Sequence, residues 1–267
     1  MIYSYTQVSQ YLACPRRYRY RYLDGWRERD SRAALLFGRA FETAVAAYFL
    51  GEDAQEKLFR EWSACREQSL DYPNGASWDR MLHEGVQLLD RLAQEDRIQI
   101  VDPRCNLQVK IVRPLPNGNE FIGYFDAIGC LDGHPCLIEW KTSGSRYPEQ
   151  PDGLLALDSQ LIAYSWISGM VEVAMVVFVR KRAPEIQYLR TSITEEQRQQ
   201  YGLLVEETIG QIEAARFSPH SGIRFPQNGC LSCPFLGLCL ENKDLVDGKL
   251  VRQPGASELE WLDQLDC

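Results

Sequence analysis

The chain has 267 residues, 45% of them hydrophobic, and carries a net charge of -8. That is enough apolar material for one large domain or two small ones. The acidic balance argues against broad, nonspecific nucleic-acid binding but leaves room for a local basic path. The opening "MIYSYTQVSQ" has no basic start followed by an apolar core, so no secretory leader is expected. The densest apolar run, "VEVAMVVFV" at 171–179, is too short to span a bilayer. A cytoplasmic protein with no membrane partner is expected, and there nine cysteines point to free thiols or metal ligands rather than disulfides.

In chain order, residues 4–23 predict one or two short helices. They carry "YLACPRRYRYRYLDG" (11–25), where a lone Cys14 precedes alternating arginine and tyrosine. Seven arginines and three acids fall within the first 32 residues, a basic excess against the acidic whole. Residues 33–50, "AALLFGRAFETAVAAYFL", predict a helix apolar on more than one face and therefore buried. Helical segments at about 53–69 and 77–96 flank the turn "DYPNGAS". Strands are predicted at 106–115, 120–131 and 135–142, joined by the hairpin-like "PNGN" and "DGH". Helical spacing returns at 154–169, followed by a buried strand at 171–181 and an edge strand at 185–191. Thr194 is expected to cap a helix running to about 216, and 217–267 reads as loop-rich. This order describes an α/β domain with a mixed sheet and a βαβ crossover.

The second of the three strands carries Asp126; the third carries Glu139 and Lys141. Antiparallel pairing can set Asp126 beside Glu139, and residues two apart on a strand share a face. Two carboxylates and an ammonium would then converge. Carboxylate oxygens suit magnesium or manganese, and a lysine beside the ion can act on a water or on developing negative charge. A solvated strand face would also explain Glu-x-Lys. Here, however, the pattern lies within the apolar "CLIEWK", and a buried carboxylate needs a partner or a metal. On the next helix, Gln160 and Tyr164 are i and i+4 on one face, as an ordinary amphipathic helix would also have them.

Cys230, Cys233 and Cys239 form C-x2-C-x5-C in a loop with Gly229, Pro234 and Gly237. Three ligands need a fourth, and Cys14 is the unpaired candidate. Four thiolates suit zinc or an iron–sulfur cluster. The cysteines at 65, 105, 130, 136 and 267 share no spacing and read as small hydrophobes or surface thiols.

Taken in order, these motifs resemble the RecB-like branch of the PD-(D/E)XK nuclease superfamily, in particular its iron–sulfur members. Those include CRISPR-associated cluster-bearing exonucleases, the AddB nuclease domain and phage-encoded relatives. Cys14 with "PRRYRY" is similar to the family's first cysteine and basic-aromatic stretch, and Gly38 in "GRAFE" to its helical G-x-x-x-H. Asp126 in "GYFDAIG" matches the strand aspartate, Glu139 and Lys141 the (D/E)-x-K, Gln160 and Tyr164 the Q-x-x-x-Y, and Cys230, Cys233 and Cys239 the terminal triplet. The family's histidine falls on Glu42; glutamate also binds hard divalent ions, and some viral relatives carry it there.

The resemblance implies a restriction-endonuclease-like mixed sheet flanked by helices, with a 4Fe-4S cluster on Cys14, Cys230, Cys233 and Cys239 (zinc the alternative) joining the two chain ends. Residues 1–30 would be the N-terminal part of the cluster subdomain and 31–216 the nuclease core, with a helical insertion at about 53–96. Residues 217–267 would be the cluster loop and tail. Glu42, Asp126, Glu139 and the Trp140 carbonyl would hold Mg2+ or Mn2+. Lys141 would act on the attacking water, with Gln160 and Tyr164 shaping the site. Arg16, Arg17, Arg19 and Arg21 would hold DNA, since arginine binds phosphates and tyrosine offers stacking faces; helical geometry must still turn at least one of Tyr18, Tyr20 and Tyr22 inward. The expected activity is a metal-dependent deoxyribonuclease, an exonuclease on DNA ends or single strands, partnered by a helicase or integrase. Two rivals keep the same features: a catalytically weak DNA-end-binding subunit of a larger complex, and a zinc-stabilised structural adaptor.

Overall fold

The computed structural model describes residues 1–73, 75–219 and 229–253. Much of the predicted C-terminal cluster loop and tail, Cys267 included, lies outside the described residues. In chain order the elements are β1 (Ile2–Ser4), α1 (Tyr5–Ala13), α2 (Pro15–Tyr18), a π-helical turn at Arg19–Leu23, β2 (Trp26–Glu28) and β3 (Ser31–Arg32). Next come α3 (Ala33–Phe49), α4 (Ala54–Ser63), β4 (Leu70–Asp71), α5 (Trp78–Gln94), β5 (Ile98–Gln99) and α6 (Pro103–Asn106). The hairpin strands are β6 (Leu107–Pro114), β7 (Glu120–Leu131) and β8 (His134–Ser143). After them come α7 (Ser159–Ser168), β9 (Glu172–Val179), β10 (Glu185–Ser192), α8 (Glu195–Glu213), α9 (Leu236–Cys239), α10 (Lys243–Lys249) and β11 (Leu250–Arg252). These elements form two units: Met1–Tyr5 with Arg32–Leu204, and Thr6–Ser31 with the residues from Val205 on.

The first unit is built on one mixed sheet in the order β1-β7-β8-β9-β10, with β5 and β6 also paired to β7. The β7–β8 hairpin closes through Asp132 and Gly133, both at positive φ (52° and 78°), as a tight two-residue hairpin turn requires. β8 and β9 are parallel and are joined by α7, which gives the expected βαβ crossover. The long β7 has an unequal edge. Its pairing with β8 runs from Leu131↔His134 to Ala127↔Ile138 and stops there. Parallel β1 takes up pairing again only at Glu120–Ile122. Asp126 stands where β8 leaves β7.

Helix α3 buries Phe37, Phe41, Ala44 and Val45 against Ala127, Ile138, Trp140, Val176 and Phe178 of the sheet. The segment expected as an insertion shares this core through Leu58, Trp62, Met81, Leu88 and Leu92. Trp62 and Trp78 stack 6.2 Å apart, and each indole donates to the other's carbonyl at 3.1 and 3.3 Å. Side-chain caps set the helix starts: Asp53 accepts from Glu56 N, Ser77 from Arg80 N, and Thr194 and Gln197 form a reciprocal capping box.

The second unit has an aromatic core. Tyr18 is buried between Tyr11, Tyr22 and Phe217, at 5.7, 4.8 and 6.2 Å. This is the inward-turned tyrosine that helical geometry demanded. Tyr11 fixes α1 by donating to the Arg216 carbonyl at 2.6 Å. β2 and β11 pair antiparallel, Trp26 against Arg252.

Candidate active site

The site is assembled from five elements of the first unit. Asp126 (β7) and Glu139 (β8) are 7% and 4% exposed, so neither carboxylate can rely on water for solvation. Asp126 Oδ2 accepts from the Trp140 main-chain N–H at 2.7 Å; at the fork it occupies a place that a neighbouring strand's carbonyl would otherwise fill. Alternation then fixes the rest of β8. Glu139 and Lys141 share a face, and the ammonium donates to Glu139 Oε1. The Trp140 indole lies on the other face, 6.0 Å from Phe49.

Helix α7 is started by Asp158, whose carboxylate accepts from both Gln160 N and Leu161 N at 3.0 Å. Its apolar residues Leu161 and Ala163 are buried, and Gln160 and Tyr164 are left facing β8. Lys141 Nζ donates to Gln160 Oε1 at 2.9 Å. Gln160 Nε2 donates to Glu139 Oε1 and to the Tyr164 hydroxyl, both at 2.8 Å. Tyr164 is braced by Phe125, its ring 4.7 Å away.

Glu42 comes from α3. One oxygen accepts from Gln108 Nε2 of β6 at 2.8 Å, and its carboxyl also meets Asp126. Gly38, one turn earlier, lies against β8, where an added Cβ would stand 3.5 Å from Thr142 Oγ1. Gln108 escaped the sequence reading: "NLQVKIV" carries nothing to set it apart from an ordinary strand residue.

The electrostatics follow from crowding. Burial, then the Glu139 and Glu42 carboxylates, hold the Asp126 carboxyl well above the usual range. Burial also raises Glu139, against the pull of Lys141. Burial disfavours the Lys141 ammonium, yet Glu139 and Asp126 outweigh that and leave it above its ordinary value. Lys141 therefore stands as a fixed cation at neutral pH. Burial, with Glu139 and Asp126 nearby, raises the Tyr164 phenol well above its usual value, so it stays protonated.

These side chains fit a hard divalent ion in one specific respect. Glu139 Oε2 is buried with no hydrogen-bond partner, next to two further carboxylates, and magnesium or manganese takes oxygen ligands of this kind. As they stand, no three His, Cys, Asp or Glu side chains among the described residues form a metal-holding group. Glu42, Asp126 and Glu139 each give an oxygen to a donor of the chain instead.

In the second unit, burial raises the Cys230 thiol, with Cys14 and Cys239 adding to it. Burial likewise raises Cys233, with Cys239 and Cys14 close by and Arg17 opposing. The thiols of the motif thus act on one another electrostatically; all are free, and they form no metal-holding group among the described residues. The Tyr20 hydroxyl lies 3.9 Å from Cys239 Sγ, and burial together with this contact pushes its phenol up to about 12. Arg19 pairs with Asp24 at 3.3 Å, and Arg21 lies 6.0 Å from the Tyr22 ring centre. Arg17 Nε is buried without a hydrogen-bond partner. Arg16 lies close enough to Tyr20 to act on its phenol.

No helix among the described residues is long and apolar enough to cross a membrane. No curated protein sequence matches the chain. A candidate exonuclease from Eubacterium rectale, known from a crystal structure, is 13% identical at a TM-score of 0.53, over 97% of this chain and 91% of that one. LHK-Exo, crystallised in complex with dAMP, is 14% identical at a TM-score of 0.33, over 68% of this chain and 91% of that one. At these identities the first likeness concerns the fold alone, and it agrees with the mixed sheet described above. The model of the PD-(D/E)XK nuclease superfamily matches residues 2–240, a span that takes in the fork at Asp126, the Glu139–Lys141 strand and the Gln160–Tyr164 helix. The chain belongs to the PD-(D/E)XK nuclease superfamily.

Proposed function

We propose that the chain is a divalent-metal-dependent deoxyribonuclease of the RecB-like, iron–sulfur branch, an exonuclease acting on DNA ends or single strands. The observation that carries this reading is the buried, unpartnered Glu139 Oε2 amid two more carboxylates and one lysine. Glu42, Asp126, Glu139 and the Trp140 carbonyl would hold Mg2+ or Mn2+. When bound, such an ion supplies a Lewis acid for a phosphoryl oxygen and lowers the pKa of a bound water.

The chain's own groups account for the remaining work. Hydrolysis forms a bond from a water oxygen to phosphorus and breaks a P–O bond to the sugar, whose oxygen leaves with the proton that the attacking water gives up. Lys141, paired with Glu139, stabilises the negative charge that grows on the phosphoryl oxygens and orients the water. Gln160 spans Lys141 and Glu139 and keeps them in register. Tyr164 fixes Gln160 from behind.

In the second unit, Cys14, Cys230, Cys233 and Cys239 would hold a 4Fe-4S cluster, with zinc as the alternative metal. The electrostatic influence of the thiols on one another and their all-sulfur donor set support this. Arg16, Arg17, Arg19 and Arg21 would bind phosphates, and a helicase or integrase is the expected partner. The test is digestion of end-labelled single- and double-stranded DNA, with 5′ and 3′ labels, in each divalent ion. Release of mononucleotides or short products from one end supports the reading; no cleavage in either Mg2+ or Mn2+ overturns it.

A further inference from the structure

Both ladders of β7 fail at the same residue. On one side the pairing with β8 ends at Ala127↔Ile138. On the other, β6 pairs Leu107↔Ala127 and Val109↔Phe125, while Gln108, which lies between them across from Asp126, has φ of 51°. Left-handed backbone is uncommon for any residue but glycine, and more so for glutamine than for asparagine or aspartate. Inside a strand it interrupts the ladder. Strain of this sort persists only where the surroundings impose it, and it clusters at functional sites. Its visible consequence here is the placement of one side chain: Gln108 Nε2 donates to Glu42 Oε1 at 2.8 Å.

We infer that Gln108 is a positioning residue of the active site, whose amide holds the Glu42 carboxylate beside Asp126 and whose left-handed backbone serves to aim that amide. α3 supplies Glu42 from a long helix whose neighbouring residues Phe41 and Ala44 are buried, so the helix is fixed while the glutamate's own rotamers are not. The donor on β6 restricts them. One carboxylate oxygen is engaged and the group is kept toward Asp126 and Glu139. Partners behind a metal ligand commonly change ion affinity by about 10–100-fold when removed. The inference rests on the proposed ion site, and its test can fail separately from that proposal.

The experiment measures Mn2+ binding to the full chain from the paramagnetic resonance signal of free Mn2+, for wild type, Gln108→Met, Gln108→Gly and Asp126→Ala. Methionine keeps the shape and the backbone strain but has no donor; glycine has no donor and removes the strain. Both Gln108 variants are expected to bind Mn2+ about ten-fold more weakly, with kcat at saturating Mn2+ little changed and the half-saturating concentration raised. Gln108→Gly should melt no lower than Gln108→Met, the opposite of what a residue kept for strand stability would show. It also carries the affinity test if the methionine variant fails to fold. Wild-type Mn2+ affinity in a folded Gln108 variant overturns this inference alone. Absence of any Asp126-sensitive Mn2+ site in the wild type overturns it together with the proposed function.

Discussion

Asp126→Asn should stabilise the protein in the absence of divalent ions while abolishing cleavage. Asp126 meets both Glu139 and Glu42 and is buried alongside Glu139, so the aspartate's negative charge is the one most opposed by its neighbours. Asparagine keeps an oxygen for the Trp140 N–H and removes the buried negative charge that the Glu139 and Glu42 carboxylates oppose. Relief of that opposition should be worth about 1–2 kcal/mol, within the ordinary range for a single substitution, or a rise in Tm of roughly 2–4 °C for a chain of this size. The pH dependence has a definite sign. Asp126 and Glu139 both have folded pKa values above the unfolded values near 4. Their contribution to stability is therefore fully present below about pH 4 and lost as pH rises through the raised folded values. The gap between variant and wild type should be widest at pH 8 and narrow toward pH 5. Divalent ion should reverse the order: at a thousand-fold over Kd, binding adds about 4.1 kcal/mol to the wild type and little to the variant. The assay is thermal unfolding in EDTA at pH 5, 6.5 and 8, repeated with Mg2+. A variant less stable than wild type in EDTA at pH 8 would refute the argument from carboxylate crowding.

Three further expectations concern other parts of the chain. Cys14→Ser and Cys233→Ser should each lose iron on anaerobic purification and lower the Tm, because a metal bound only by the folded arrangement adds its binding free energy to folding. Cys65→Ser, by contrast, should keep both iron and Tm. Gly129→Ala should destabilise by about 1–3 kcal/mol, since its Cβ would come within 2.6 Å of the Gln99 carbonyl oxygen, a backbone atom with little freedom to move; equal Tm values would contradict this. Arg17→Ala combined with Arg21→Ala should weaken DNA binding with the thiol site intact and reduce the slope of log K against log salt by about 1.4–1.8; an unchanged slope would remove these arginines from the phosphate path.

The sequence was informative where spacing fixes geometry. Glu139 and Lys141 two apart on a strand, and Gln160 and Tyr164 four apart on a helix, could only share a face, and all four are joined by hydrogen bonds. The long helices were legible from their apolar content and from caps such as Thr194. Short or nonlocal features were not. β1 has three residues, too few to show a period, and β2 finds its partner more than 200 residues away in β11. The fork of the sheet at Asp126 is a property of three strands at once. Gln108 was invisible for a related reason: its left-handed φ opposes its own propensity, and only the neighbouring Glu42 gives that conformation a use.

Lys141 is the cation of the proposed nuclease site, and cleavage of end-labelled DNA by Lys141→Ala in Mn2+, beside the wild type, tests that role most directly. Loss of a preorganised charge at the reacting phosphate should lower the rate by about 10²–10³-fold or more, with Mn2+ still bound and the fold retained by thermal unfolding. A Lys141→Ala protein that cuts DNA at the wild-type rate would contradict the account.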